Sequence, residues 1–133
     1  MTTEAIYKGD LRTTAVHLKS GDQLITDAPT DNRGKGEAFS PTDLVATALG
    51  TCILTIMGIK ARDKDIDITG AKAEVNKVMA SNPRRIAKLE VHITMPPKDY
   101  TSKEKKILEA AAHHCPVGSS LHPDLEEIIL FNW

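Results

Sequence analysis

Two cysteines, Cys52 and Cys115, carry the widest chemical reach in this chain. A thiolate is a nucleophile, and the sulfenic acid it forms with a peroxide condenses reversibly with a second thiol to a disulfide. Two thiols are too few for a disulfide scaffold or a four-thiolate zinc site. A pairing between them therefore reads as redox-active rather than structural. The plain alternative is that each fills core space, because free cysteine often behaves as a small buried hydrophobe. His113, His114 and Cys115 stand side by side. Three consecutive residues cannot easily face one metal ion from a helix, and the usual ligand spacings are absent. A histidine beside a redox thiol can instead tune it or carry a proton, which makes His114 a supporting candidate.

The elements that must position these residues follow from pattern. Ala5 to Lys8, Leu11 to Lys19 and Gln23 to Thr26 alternate roughly between polar and apolar, with Gly9-Asp10 and Ser20-Gly21-Asp22 as turns, so a meander of strands is expected. Asp27 to Ser40 (DAPTDNRGKGEAFS) lacks periodicity and reads as a functional or mobile loop carrying Arg33 and Lys35. Ser40-Pro41-Thr42-Asp43 is a helix start, with Ser40 as cap, Pro41 at the first helical position and Asp43 as the capping acid. Sixteen uncharged residues follow, Leu44 to Ile59 (LVATALGTCILTIMGI), with Cys52 in their middle. That run is short of the roughly 20 apolar residues of a membrane span and predicts a helix buried on nearly all sides.

Beyond it, Ile66 to Met79 and Arg85 to Met95 read as strands, the second with Ala87, Leu89, Val91, Ile93 and Met95 on one dry face. Thr101 and Glu104 form a capping box that opens a second helix ending near His114. Cys115-Pro116 then falls at a helix terminus or turn, and Glu126 to Trp133 is a closing strand. Lys103, Lys105 and Lys106 with Glu104 and Glu109 read as a solvated face. A helix apolar all round needs more cover than one small unit offers, which predicts a homodimer with Leu44 to Ile59 at its centre. Phe39, Met57 and the helix aliphatics either line an apolar pocket or fill the core.

The chain has 133 residues, 41% hydrophobic and 26% charged, with a formal net charge of -1. Such a length predicts a single domain over residues 1–133. The charge balance supplies no broad cationic surface, so neither nucleic acid nor membrane is an expected partner. Met1 to Asp10 has no apolar run of the signal-peptide kind, and a cytoplasmic location is expected.

Two segments together resemble the OsmC/Ohr family, the osmotically inducible protein C and organic hydroperoxide resistance proteins. In FSPTDLVATALGTC, Ser40, Pro41, Leu44, Ala46 and Cys52 match the family's proline-led helix with its cysteine eleven residues after the proline. In HCPVG, Cys115, Pro116 and Val117 match its second-cysteine turn. The resemblance implies an α+β, OsmC-like fold of antiparallel sheets with a buried central helix and a second helix, forming an intertwined homodimer. It also implies a thiol-dependent peroxidase that needs no cofactor and no metal. Cys52 would reduce an organic hydroperoxide to the alcohol, Cys115 would resolve the sulfenic acid as a Cys52–Cys115 disulfide, and an external dithiol would reduce it.

A thiolate among hydrocarbon side chains is disfavoured by burial, and at mid-helix it gains little from the helix N-terminus. A cation at about 4 Å, at an effective dielectric near 20, supplies about 4 kcal/mol of attraction. The family uses an arginine from the N-terminal strands, matched best by Arg12 with Arg33 as reserve. The family's supporting glutamate follows the helix-start proline, where this chain has Thr42. A hydroxyl cannot make the bidentate pair of a carboxylate, and neighbouring Asp43 is turned about 100° away on a helix. The alternative reading is a redox-responsive binding or stress protein of the same fold, with weak or no peroxidase turnover.

Overall fold

The computed structural model describes all 133 residues, Met1–Trp133. The chain forms two compact units, Met1–Val45 and Ala46–Trp133. In the first, β1 (Thr3–Gly9), β2 (Arg12–His17) and β3 (Gln23–Asp27) make an antiparallel meander in that order. The β1–β2 turn runs through left-handed backbone at Gly9, Asp10 and Leu11, and the register shifts between Tyr7 and Gly9. Only the first of those three residues adopts that conformation without a Cβ penalty.

The segment after β3 is more ordered than its composition suggests. A 3-10 turn occupies Thr30–Asn32, and Phe39 returns to bridge Thr26 in parallel, its carbonyl accepting from the Asp27 amide at 3.0 Å. Backbone pairing, which composition cannot reveal, ties both ends of the loop to the sheet. Ile6, Tyr7, Leu24 and Ile25 remain open to solvent, so a three-stranded sheet carries more apolar surface than it covers.

The second unit holds most of α1 (Pro41–Asp63), then β4 (Lys72–Ala80), β5 (Arg85–Thr94), α2 (Ser102–Ala112), the short α3 (Pro116–Ser120) and β6 (Glu126–Asn132). Its sheet order is β4-β5-β6. β4 and β5 pair antiparallel, whereas β6 lies parallel to β5, a difference from the all-antiparallel expectation. The stretch holding α2 and α3 is long enough to carry the chain back to the starting end of β5, which a parallel pair requires. Leu89, Val91, Ile93 and Met95 are buried as the alternation predicts, with Leu108 and Ala112 of α2 in the same cluster. The capping box at Thr101 and Glu104 is present. Strand β4 begins later than the pattern suggests, because Ile66 to Ala71 is irregular and Asp67 there pairs with Lys98.

Within a single chain, α1 is covered on one side. Ala46, Leu49, Gly50, Ile53, Met57 and Ala61 are buried, a stripe at three- and four-residue spacing. Thr47, Thr51, Thr55 and Ile59, four apart, face outward. The hydroxyls of Thr51 and Thr55 donate to the carbonyls of Thr47 and Thr51, each at 2.8 Å. Back-bonding of this kind satisfies the donors without water, so the open face is uncharged and largely self-sufficient. Periodicity could not separate the two faces because both are free of charge.

Gly50 fixes how closely α1 approaches β4. A Cβ there would lie 2.8 Å from Val75 Cγ2 and 3.6 Å from the Ala73 Cβ. Alanine gains up to about 1 kcal/mol over glycine inside a helix, whereas overpacking a tight core costs about 1–3 kcal/mol. Val75 is a stiff β-branched neighbour, so packing outweighs propensity. Gly50→Ala is expected to lower stability by on the order of 1 kcal/mol in urea denaturation, and a stabilised variant would refute the close approach.

Candidate functional site

Helix α2 ends at Ala112 with His113 as its C-cap, and Cys115 caps α3 in extended backbone (φ -74°, ψ 125°). That conformation is what a following proline imposes on its predecessor, and Pro116 then opens α3 where no amide donor is needed. The -HCP- sequence thereby turns the chain sharply and sends the Cys115 side chain into the core, where the residue is 2% exposed. The third helix is the element that the sequence reading missed; five residues are too few for a periodic signal.

There Cys115 meets Cys52, half-buried at the middle of α1, and both are free thiols. The Cys115 pKa is raised, first by burial and then by its hydrogen bond to the Cys52 sulfur. The amides of Val117 and Gly118 point at the same sulfur and oppose that rise in part. Burial makes the two sulfurs inequivalent: Cys115 is enclosed in the core and Cys52 only partly so.

His114 is exposed at the end of α2, and its Nδ1 lies 2.7 Å from the Ala110 carbonyl. It lines a groove of about 530 Å³ between α1 and α2, together with Ile56, Ile59 and Ile107. Met57 is core and Phe39 is exposed, while Ile56 and Ile59 of α1 border this groove. No group of three or more His, Cys, Asp or Glu side chains is placed to hold a metal ion.

In the first unit, Arg12 opens β2 and stands opposite Asp27 in the β2–β3 register. Its Nη2 donates to Asp27 Oδ2 at 3.2 Å and to Glu37 Oε2 at 2.6 Å. Asp27 Oδ2 also accepts from the Glu37 amide at 3.0 Å, while Oδ1 has no hydrogen-bond partner in the protein. The Asp27 pKa is lowered, first by the Glu37 amide and then by Arg12, against the opposing effect of burial. Both carboxylates on Arg12 come from positions that the sequence reading did not single out. The signals available were a strand-end Asp and the one acid in the Gly-rich stretch GKGEAF, each ordinary for a loop.

Thr42 shares a 3.2 Å contact between hydroxyls with Ser40. Asp43 completes the capping box: its carboxylate accepts from the Ser40 amide at 2.9 Å, and its own amide donates to Ser40 Oγ at 3.0 Å. Arg33 is exposed at the left-handed end of the 3-10 turn.

The family model described as OsmC-like protein matches residues 34–127. The chain belongs to the OsmC-like family. At 52% identity it resembles the crystal structure of a Psychrobacter arcticus 273-4 protein provisionally named for osmotic stress induction and a detoxification response, with a TM-score of 0.95 over 99% of this chain and 96% of that one. The organic hydroperoxide resistance protein OsmC of Legionella pneumophila is similar in fold, with 17% identity and a TM-score of 0.79 over 100% and 98% of the two chains. So is the OsmC-like protein of Mycoplasma pneumoniae, at 19% identity and a TM-score of 0.79 over 98% and 94%. No curated protein matches the chain. The α+β architecture with two sheets is thus the OsmC-like fold, and both cysteines fall inside the segment that the family model matches.

The Asp27 geometry carries a pH consequence. A carboxyl with a lowered folded pKa contributes stability that is fully present above its unfolded value near 3.9 and is lost as pH falls through the folded value. Asp27→Asn is therefore expected to be less stable than the parent at neutral pH, with the gap narrowing as pH drops below about 4. Denaturation midpoints across that range test it, and a gap independent of pH would show that the Asp27 charge does not stabilise the fold.

Proposed function

We propose that this OsmC-like chain is a cysteine-based peroxidase that reduces organic hydroperoxides to alcohols, working as a homodimer in which residues 1–133 act as one domain. The observation that carries the reading is that Cys115 and Cys52, two thiols far apart in sequence, lie against each other. Family membership and the names of the Psychrobacter and Legionella relatives, one for detoxification and one for organic hydroperoxide resistance, support the substrate class.

In the proposed cycle the Cys52 thiolate attacks the terminal oxygen of ROOH. The O–O bond breaks, RO⁻ leaves and takes a proton to become ROH, and Cys52 becomes a sulfenic acid. The Cys115 sulfur then attacks the Cys52 sulfur, and the sulfenic hydroxyl leaves with the Cys115 proton as water, giving the disulfide. An external dithiol reduces it by thiol–disulfide exchange and is itself oxidised. Arg12 is assigned the role of the cation that keeps Cys52 ionised. The apolar groove beside Ile56, one helical turn from Cys52, suits the alkyl part of a hydroperoxide. The open uncharged face of α1 and the open apolar sheet of the first unit support the homodimer, since both leave hydrocarbon in water in a lone chain.

With dithiothreitol and cumene hydroperoxide, Cys52→Ser is expected to abolish peroxide consumption. With dithiothreitol left out, Cys115→Ser is expected to consume about one equivalent and accumulate a dimedone-trappable sulfenic acid, as the oxidation ladder requires. Full turnover by Cys52→Ser would end the proposal. Stoichiometric oxidation of the parent without turnover would instead select the redox-responsive reading. Sedimentation at micromolar concentration is expected to give twice the chain mass, and a stable monomer would remove the dimer from the account.

A further inference from the structure

We infer that Glu37 is a displaceable cover on Arg12, competing with the anion that the guanidinium serves, while Asp27 is the fixed anchor that positions it. The inference rests on the proposed role of Arg12 toward Cys52 and adds a positioning residue and a competitor to it.

Charge counting motivates it. Arg12 uses a single nitrogen, Nη2, for both carboxylates. Two negative charges on one guanidinium leave the cluster net negative, so an approaching thiolate meets repulsion until one carboxylate withdraws. The edge formed by Nε and Nη1 has no protein partner and can receive that anion.

Burial decides which carboxylate yields. The Asp27 side chain is 1% exposed, and losing Arg12 would strand a buried charge whose Oδ1 already lacks a partner. Its backbone is fixed as well, by the Phe39 carbonyl and by register with β2. The Glu37 side chain is 57% exposed, so on release its carboxylate passes into water at little cost. Glu37 makes the shorter contact, 2.6 Å against 3.2 Å. Length is not the deciding quantity, because an ion pair in solvent shifts an equilibrium by a factor of about five or less. The two residues also differ in role through the Glu37 amide, which stays bonded to Asp27 and keeps the cover tethered when its side chain swings away.

The test uses the Cys115→Ser chain, in which only Cys52 reports, and the rate of its alkylation by iodoacetamide at pH 7 and low salt. Glu37→Gln is expected to raise that rate about two- to fivefold, and the gain is expected to shrink at about 0.5 M salt as the charges are screened. Arg12→Gln is expected to lower the rate, and the Arg12→Gln/Glu37→Gln pair to show no gain over Arg12→Gln alone. A gain that survives without Arg12 would reflect a loosened structure and overturns the inference. A rate at or below the parent's in Glu37→Gln overturns it too, even where Arg12→Gln slows alkylation and the role of Arg12 stands. An unchanged rate in Arg12→Gln removes both.

Discussion

The contact between Cys115 and Cys52 is the constraint to which the second unit is built. Neither residue could reach the other through local sequence. Helix α1 fixes one thiol at its midpoint, and the termination of α2 followed by Cys-Pro fixes the other. Between them, β4 and β5 supply the apolar floor on which both helices rest, with Leu89, Val91 and Ile93 fully buried. Close helix–sheet approach at Gly50 brings α1 down onto β4. Pro116 removes an amide that would need a partner and holds Cys115 extended.

The carboxylates that grip Arg12 come from other positions than the one the family pattern suggests. With Thr42 after the helix-start proline, its hydroxyl is engaged with Ser40 while Arg12 is gripped by Asp27 and Glu37. The two carboxylates are not equivalent, since one is buried and the other largely in water. Burial makes the first depend on the arginine as much as the arginine depends on it. An Asp in this position, one strand away from Arg12 in exact register, meets the guanidinium without loop flexibility. The side-chain entropy of the arrangement is therefore paid once, when the β2–β3 hairpin forms.

Much of this was legible from residue order. The proline-led helix, the dry face from Leu89 to Met95, the capping box at Thr101 and the cysteine turn all follow from local rules of capping, alternation and proline geometry. What stayed hidden was set by partners distant in sequence. Strand β6 runs parallel to β5 because of where the crossover returns, and nothing in EEIILFNW encodes direction. Lys105 lies 5.3 Å over the Trp133 ring, and the Trp133 indole donates to Glu109 at 3.0 Å, so part of the supposedly solvated lysine face covers the chain's last residue. Asp27 and Glu37 were invisible as partners of Arg12 for the same reason, since a strand-end Asp and a loop Glu carry no periodic signal. The family resemblance pointed to Cys52, Cys115 and Arg12, and it was silent on the carboxylates because this chain departs from the pattern at that position.

The uncharged character of α1 bears on both its packing and its chemistry. One face is ordinary core, packed on its own sheet. The other carries threonines whose hydroxyls are satisfied by the helix itself, so it can lose water without leaving donors unmet. A charged residue on either face would be a permanent counter-ion or competitor for a sulfur that must change charge during the proposed cycle. Keeping sixteen residues neutral leaves the ionisation of Cys52 to be set from outside the helix. On that reading the charge of Cys52 answers to a single guanidinium, itself shared between a buried anchor and an exposed competitor.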